Sequence, residues 1–322
     1  MKQPLSLLFS VFLFFLPFFA AFAQKTEKDA IISTAPYDSL KNFLGDDVAR
    51  YKGQKLWLKP LPKQQQEYGY ANFILQYKKD DDVLNSEKNI YKCCDGYNSQ
   101  YNELVNKHFF VQEVLKHPKS KKNDGGYNDE FYLQLQEIIS GDIVYYKYTT
   151  DSEFTFPFIV MGFLEKQKSL VLGEEYVFAD NVIADATDII SGQKAITTVG
   201  AIWKCVDLRV DSDEQELSVI VQNGSRQKIA VPLSVIKDKQ LPLKVYDASQ
   251  VAIFRKRFGN YTTFNRILQQ KIVRGMTKEM CRMSWGEPLE KIETENGSAK
   301  LETWTYPANS ISFRNGRVVS ID

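Results

Sequence analysis

Apolar and polar residues alternate with a period of two along several separate stretches of this chain, the pattern of strands that bury one face and wet the other. Tyr51 to Leu61 carries Leu56, Trp57 and Leu58 between Gly53 and Pro60 and reads as a strand. Phe109–Leu115 alternates; a lysine- and glycine-rich loop over 116–129 follows; Phe131–Leu135 alternates again, and Gly141-Asp142 leads into Ile143–Tyr146. The same order recurs as Ile202–Leu208, Leu217–Val221 and, after Asn223-Gly224, Ile229–Val231. Gly53-Gln54-Lys55 precedes the first set and Gly192-Gln193-Lys194 the second, so two copies of one small β unit are expected. A unit of that size buries little alone and should close into a small barrel or pack on its neighbour. Phe154–Phe163 and Leu170–Phe178 read as further β pieces, residues 80–103 as a polar insertion, and Ser39–Leu44 as a short helix.

After Pro242 the period lengthens. Asp247–Arg257 and Thr263–Val273 have helical spacing, with Phe264, Ile267, Leu268, Ile272 and Val273 on one face. Gly259-Asn260 separates the two, and Gly275 is expected to end the second. Thr277 can cap a third, Lys278–Ser284, which Gly286 and Pro288 stop. Asn296-Gly297 and Asn315-Gly316 then mark two tight hairpins, because primed turns require positive φ at both central residues.

Within this region, Ile272-Val273-Arg274-Gly275-Met276-Thr277, Gly286-Glu287-Pro288, Trp304-Thr305-Tyr306 and Phe313-Arg314-Asn315-Gly316-Arg317-Val318 stand in fixed order. On these residues the segment 272–321 resembles the BamE-like (SmpA/OmlA) domain, whose fold is shared with β-lactamase-inhibitor proteins. The resemblance implies two helices against a three-to-four-stranded sheet, no active site, and a protein-binding or envelope-structural role. It covers about 50 of the 322 residues. The family's short members are lipoproteins held at the outer membrane, whereas this chain has no lipid-acceptor cysteine near residue 23, so membership in an assembly complex does not follow.

Lys2, the apolar run Pro4–Ala23 with its Ala21-Phe22-Ala23 end, and the abrupt polar turn at Gln24 read as a signal peptide cleaved near Ala23. An uncleaved anchor is the alternative, since ~20 apolar residues just span a bilayer. The expected destination is the periplasm or the exterior, with no stable membrane span after cleavage. Lys+Arg number 41 and Asp+Glu 40, and loss of Lys2 with residues 1–23 balances them, which argues against nucleic acid as a partner. Cys93, Cys94, Cys205 and Cys281 form no recognisable framework; two disulfides or buried thiols both fit their spacing.

No residue pattern offers a catalytic, cofactor-binding or metal-binding centre. C-x-x-C, H-E-x-x-H and G-x-S-x-G are absent, and the two histidines, His108 and His117, are expected at the surface. Asp80-Asp81-Asp82 lacks the glycine and glutamate of a calcium loop. A glycosidase would need two carboxylates across a cleft, which Glu174-Glu175 or Asp211/Asp213 do not establish by sequence. Trp285, Trp304 and Tyr306 are the candidate protein contacts, with Trp304 weighed first as core. The expectation is a β-rich α+β chain: signal 1–23, a first β unit at 24–165, a second at 166–245, and a helix-helix-meander domain at 246–322. It would bind other envelope proteins or, alternatively, cell-wall polymer; an unrecognised hydrolase is the third reading.

Overall fold

The computed structural model describes residues 30–77, 86–93, 98–120, 126–259, 261–296 and 299–322. The expected signal peptide, the three consecutive aspartates and the turn residue Gly297 lie outside them.

The chain is α+β and β-rich, built on three antiparallel sheets. The first contains β1 (Lys55–Leu58), β2 (Phe73–Ile74), β3 (His108–Lys116), β4 (Glu130–Glu137), β5 (Ile143–Thr149) and β6 (Phe158–Val160), in the order β2-β5-β4-β3-β1-β6. The second contains β7 (Glu175–Phe178), β8 (Trp203–Val210), β9 (Leu217–Gln222), β10 (Lys228–Pro232) and β11 (Val245–Asp247), in the order β10-β9-β8-β7-β11. In both, a meander of three strands follows a short strand, and the last strand returns to pair with that short one on its free edge. Among the described residues neither sheet closes, since no pairing joins its two outer strands.

The duplication extends to a defect. Register shifts between Val111 and Glu113 in β3 and between Cys205 and Asp207 in β8, leaving Gln112 and Val206 as the extra residues of two bulges. A bulge reverses the in-out alternation, so Phe109 and Val111 point inward before it and Val114 after it; Trp203, Cys205 and Leu208 repeat the switch. Leu56 faces Phe109 across the first sheet as Tyr176 faces Trp203 across the second.

That correspondence corrects the sequence alignment of the two units. The meanders match as expected, but the partner of the Gly53-Gln54-Lys55 strand is β7, not Gly192-Gln193-Lys194, which lies in the loop after β7. In the first unit a 3-10 turn at Gly45–Tyr51 precedes β1, and the helix expected at Ser39–Leu44 is not formed. Residues 59–107 between β1 and β3 hold the expected polar insertion together with β2 and helix α1 (Tyr101–Leu104).

A second correction concerns residues 161–171. They form helix α2 (Met161–Val171), which takes in the end of the β piece expected at Phe154–Phe163 and the start of the one expected at Leu170–Phe178, because Phe163, Gln167 and Val171 recur at four-residue spacing and turn toward protein. Phe163 packs against the cores of both sheets, and the boundary expected at 165/166 therefore falls inside a shared helix. After α3 (Asp180–Ile183) and α4 (Leu233–Lys237), helix α5 (Ala248–Arg257) follows β11 as α2 follows β6. The boundary expected at 245/246 cuts β11. Val177 and Tyr246, on the far face of the second sheet, join the third core.

That third core lies beneath α6 (Tyr261–Leu268), α7 (Lys278–Trp285) and the meander β12 (Glu290–Asn296), β13 (Ala299–Thr305), β14 (Ser310–Arg314), β15 (Arg317–Ile321). Helix α6 stops earlier than its apolar spacing suggests. Gln270 turns left-handed at φ 54°, and the Lys271 N–H reaches back to the Arg266 carbonyl, so Gly275 lies in the following loop. The Thr277 hydroxyl accepts the Met280 N–H at 3.4 Å and caps α7. Asn315 and Gly316 take φ 49° and 76°, the pair of positive values their hairpin needs.

Candidate functional site

Where the first two sheets meet, the chain leaves an open cleft of about 540 Å³. Its floor is aromatic: Phe43 just before the 3-10 turn at Gly45–Tyr51, Phe156 before β6 and Phe163 from α2, with Phe154 standing 87% exposed at the rim. The second unit contributes the β8–β9 turn at Glu214, Gln215 and Glu216, and helix α4 with Ser234 and Lys237.

Lys59 is the polar side chain set deepest here. It follows the buried end of β1, its N–H donates to the Pro157 carbonyl at 3.0 Å, and its carbonyl accepts the Tyr70 hydroxyl at 2.8 Å. Held at both ends, the residue is only 8% exposed, and its ammonium donates to the Gln215 carbonyl at 3.2 Å. Burial pulls its pKa down to about 8. Gln215, itself left-handed at φ 59°, returns a bond from Nε2 to the Pro60 carbonyl at 2.9 Å. Asn42 fixes the opposite wall: its side-chain amide donates to the Phe158 carbonyl and accepts the Val160 N–H, both at 2.8 Å, and so covers part of the free edge of β6. Lys237 lies 6.0 Å from the Phe163 ring centroid, and burial lowers its pKa also. Glu216 accepts the Ser234 hydroxyl at 2.9 Å. Cations, carboxylates and aromatic surface together suit non-covalent binding.

The residues singled out by sequence fall elsewhere. Trp304 is fully buried against Phe313 at 4.7 Å, with Arg282 and Lys291 over its ring, and Tyr306 is buried with its hydroxyl donating to the Gly286 carbonyl at 3.1 Å. Both side chains belong to the third core. Trp285 is half-buried, edge-on to Tyr306 at 5.3 Å, and its indole N–H donates to the Gln270 carbonyl at 2.7 Å. His117 is buried rather than exposed, because its ring stacks on Tyr127 at 4.3 Å. His108 is partly buried beside Trp57, and burial lowers its pKa.

Cys205 and Cys281 are free thiols buried in separate cores, and burial pushes Cys281 up to about 12. Among the described residues no three His, Cys, Asp or Glu side chains gather as a metal site, and no helix is long and apolar enough to cross a membrane.

A further feature was missed in the sequence although it is written there. Glu137-Ile138-Ile139-Ser140-Gly141 and Asp188-Ile189-Ile190-Ser191-Gly192 form the same turn at two unrelated points of the fold. In each, the leading carboxylate accepts the serine N–H, its own carbonyl accepts the glycine N–H, and the glycine is left-handed. Each turn presents two exposed isoleucines, Ile139 at 92% and Ile190 at 70%. The repeated Ile-Ile-Ser-Gly tetrapeptide was the available signal. The chain matches no family model, no curated protein and no solved structure.

Proposed function

We propose that this chain is an exported, non-enzymatic envelope protein that acts by binding other envelope proteins. The observation that carries this reading is the pair of clamped turns that hold Ile139 and Ile190 out from the surface. Exposed apolar side chains on rigid turns are what a protein contact uses, since little ordering entropy remains to be lost on binding. The division into two β units and a BamE-like C-terminal module belongs to the same proposal. What supports the third module is the run α6, α7 and four meandering strands over the segment that carries the resemblance.

A second reading rests on the shared strand order. A short first strand, a three-strand meander, a short helical turn and a last strand returning to the first is the order of small Src-homology-3-type barrels. The 3-10 turn at Glu153–Thr155 and helix α4 fill the helical place in the two units. Barrel-like units of this kind, with an open cleft between them, would make the protein a binder of cell-wall glycan or peptide, a step taken by analogy of fold.

Photocrosslinking in intact cells separates these. A photoreactive residue at 139 or 190 should capture a discrete protein partner, while one at the exposed Lys194 should not. Retention of the protein on insoluble cell-wall material with no crosslink from either turn would support the second reading instead. Unprocessed chain found in the cytosol would overturn both.

A further inference from the structure

An ammonium group carries three donors, and Lys59 uses one, to the Gln215 carbonyl. Glu214 and Glu216 flank Gln215 and line the same cleft, yet neither forms an ion pair with Lys59. A nine-tenths buried cation without a carboxylate is an unfavourable arrangement, since desolvation is not offset by a counter-charge. The backbone bonds to Pro157 and from Tyr70 hold the residue in that place. An anion entering the cleft would relieve the cost, and Lys237 adds a second cation on the Phe163 side.

The surroundings narrow the anion. Phe43, Phe156 and Phe163 beside Lys59 call for an apolar body attached to the charge. Three carboxylates on the rim, Glu153, Glu214 and Glu216, repel a dianion such as phosphate and can accept N–H donors. A single negative charge, an apolar side chain and amide N–H groups meet at the end of a peptide. We propose that this cleft binds the free C-terminal carboxylate of a peptide with an apolar last residue, with Lys59 as the ion partner and the phenylalanines as the seat of the side chain. The proposal rests on reading the chain as a binding protein, and names the ligand class of the cleft.

Calorimetry on the full chain at pH 7 tests it with three probes: N-acetyl-Leu-Phe as the free acid, the same peptide as its C-terminal amide, and N-acetyl-Leu-Glu amide. The free acid should bind, and both amides at least ~tenfold more weakly, the loss expected when one partner of a buried ion pair is removed. Lys59→Met should abolish the preference for the acid while keeping the thermal midpoint, because an apolar isostere removes an unpaired buried charge. Phe154→Ala, at an exposed rim position, should weaken the acid a few-fold without affecting folding. Equal binding of acid and amide, no binding of either at millimolar concentration, or unchanged binding by Lys59→Met would each overturn the assignment. Preference for the glutamate side chain would overturn the C-terminal source. Ile139 and Ile190 do not line the cleft, so the crosslinks from those turns stand or fall independently.

Discussion

Glu137 and Asp188 perform one task in two places: each carboxylate folds over its own turn and accepts the backbone N–H of the serine three residues on, at 2.7 and 3.1 Å. Glu137 ends β4 in the first unit, whereas Asp188 lies in the loop between β7 and β8 of the second. The duplicated turn therefore does not follow from the duplicated sheet. Asp188 also accepts the Lys228 N–H at 2.8 Å, so its turn lies along the outer strand β10 and occupies part of a free edge.

Acid should loosen the first of these turns. Burial alone would raise the Glu137 pKa, but the bonds from Ser140 and the Ile139 N–H, with Lys107 nearby, outweigh it and hold the carboxyl at about 2. A folded-state pKa below the unfolded value of ~4.5 contributes stability that is complete above that value. It is lost as pH falls from the unfolded pKa through the folded one. Urea unfolding between pH 6 and 2 should show a declining midpoint across this window, and Glu137→Gln should flatten the decline. At pH 7 the same variant should cost ~1.5–3 kcal/mol, the range for a hydrogen bond to a charged group.

Gly275 and Gly286 look alike in the sequence, each near a helix end, and the structure separates them. Both are left-handed, at φ 88° and 82°. A methyl group on Gly275 would meet nothing within 4 Å, while one on Gly286 would stand 3.0 Å from the Leu241 carbonyl oxygen and from Pro242 Cδ. Gly275→Ala should cost ~1 kcal/mol of backbone strain. Gly286→Ala adds a backbone clash to a φ/ψ pair, 82° and −163°, that non-glycine residues avoid, and should cost ~2–3 kcal/mol or more. Thermal denaturation of the two variants side by side reads the difference.

The same contrast explains what was legible in the sequence. The strand at Ile229–Val231 was placed by pattern because burial of one face dictates its period, whereas Leu217–Val221 is buried on both faces and was placed by its apolar run. Asn315-Gly316 was legible because the turn demands particular backbone angles. Met161–Val171 was not, since Phe163 and Leu164 sit among β-branched and aromatic neighbours and only the four-residue spacing marks the helix. The cleft was invisible for another reason. Lys59 follows β1, Phe163 lies on α2 and Gln215 in a turn of the second unit, and only packing of one sheet beside the other brings them together. Trp304 and Tyr306 were legible as apolar anchors, but their depth depends on Arg282 and Gly286, from α7 and its C-cap, and on Phe313 from β14.

Thiol chemistry gives a third prediction. Cys205 and Cys281 are buried in different cores, and burial raises both pKa values, so neither presents a thiolate to reagent. A Cys93→Ser/Cys94→Ser variant should react with Ellman's reagent at well under the rate of a free exposed thiol in the native state. It should release two thiols per chain once denatured in guanidinium. Prompt reaction before denaturation would show that one of the two cores opens on the timescale of labelling.

The tryptophans give the fourth. Trp304 fills the centre of the third core and donates its indole N–H to Glu302, whose other oxygen pairs with Lys278. Trp304→Ala would leave a cavity and an acceptor short of its donor, and should cost ~3–5 kcal/mol. Trp285 is only half-buried and holds a single bond to the Gln270 carbonyl, so Trp285→Ala should cost ~1–2 kcal/mol. If the C-terminal module offers a contact surface, Trp285→Ala should weaken partner crosslinking in cells at unchanged protein level. Trp304→Ala should instead lower the amount of folded protein and reduce every crosslink in proportion. Fluorescence-detected unfolding together with quantified capture distinguishes the two: loss of capture by Trp304→Ala with an unchanged unfolding midpoint would mean that its ring meets the partner after all.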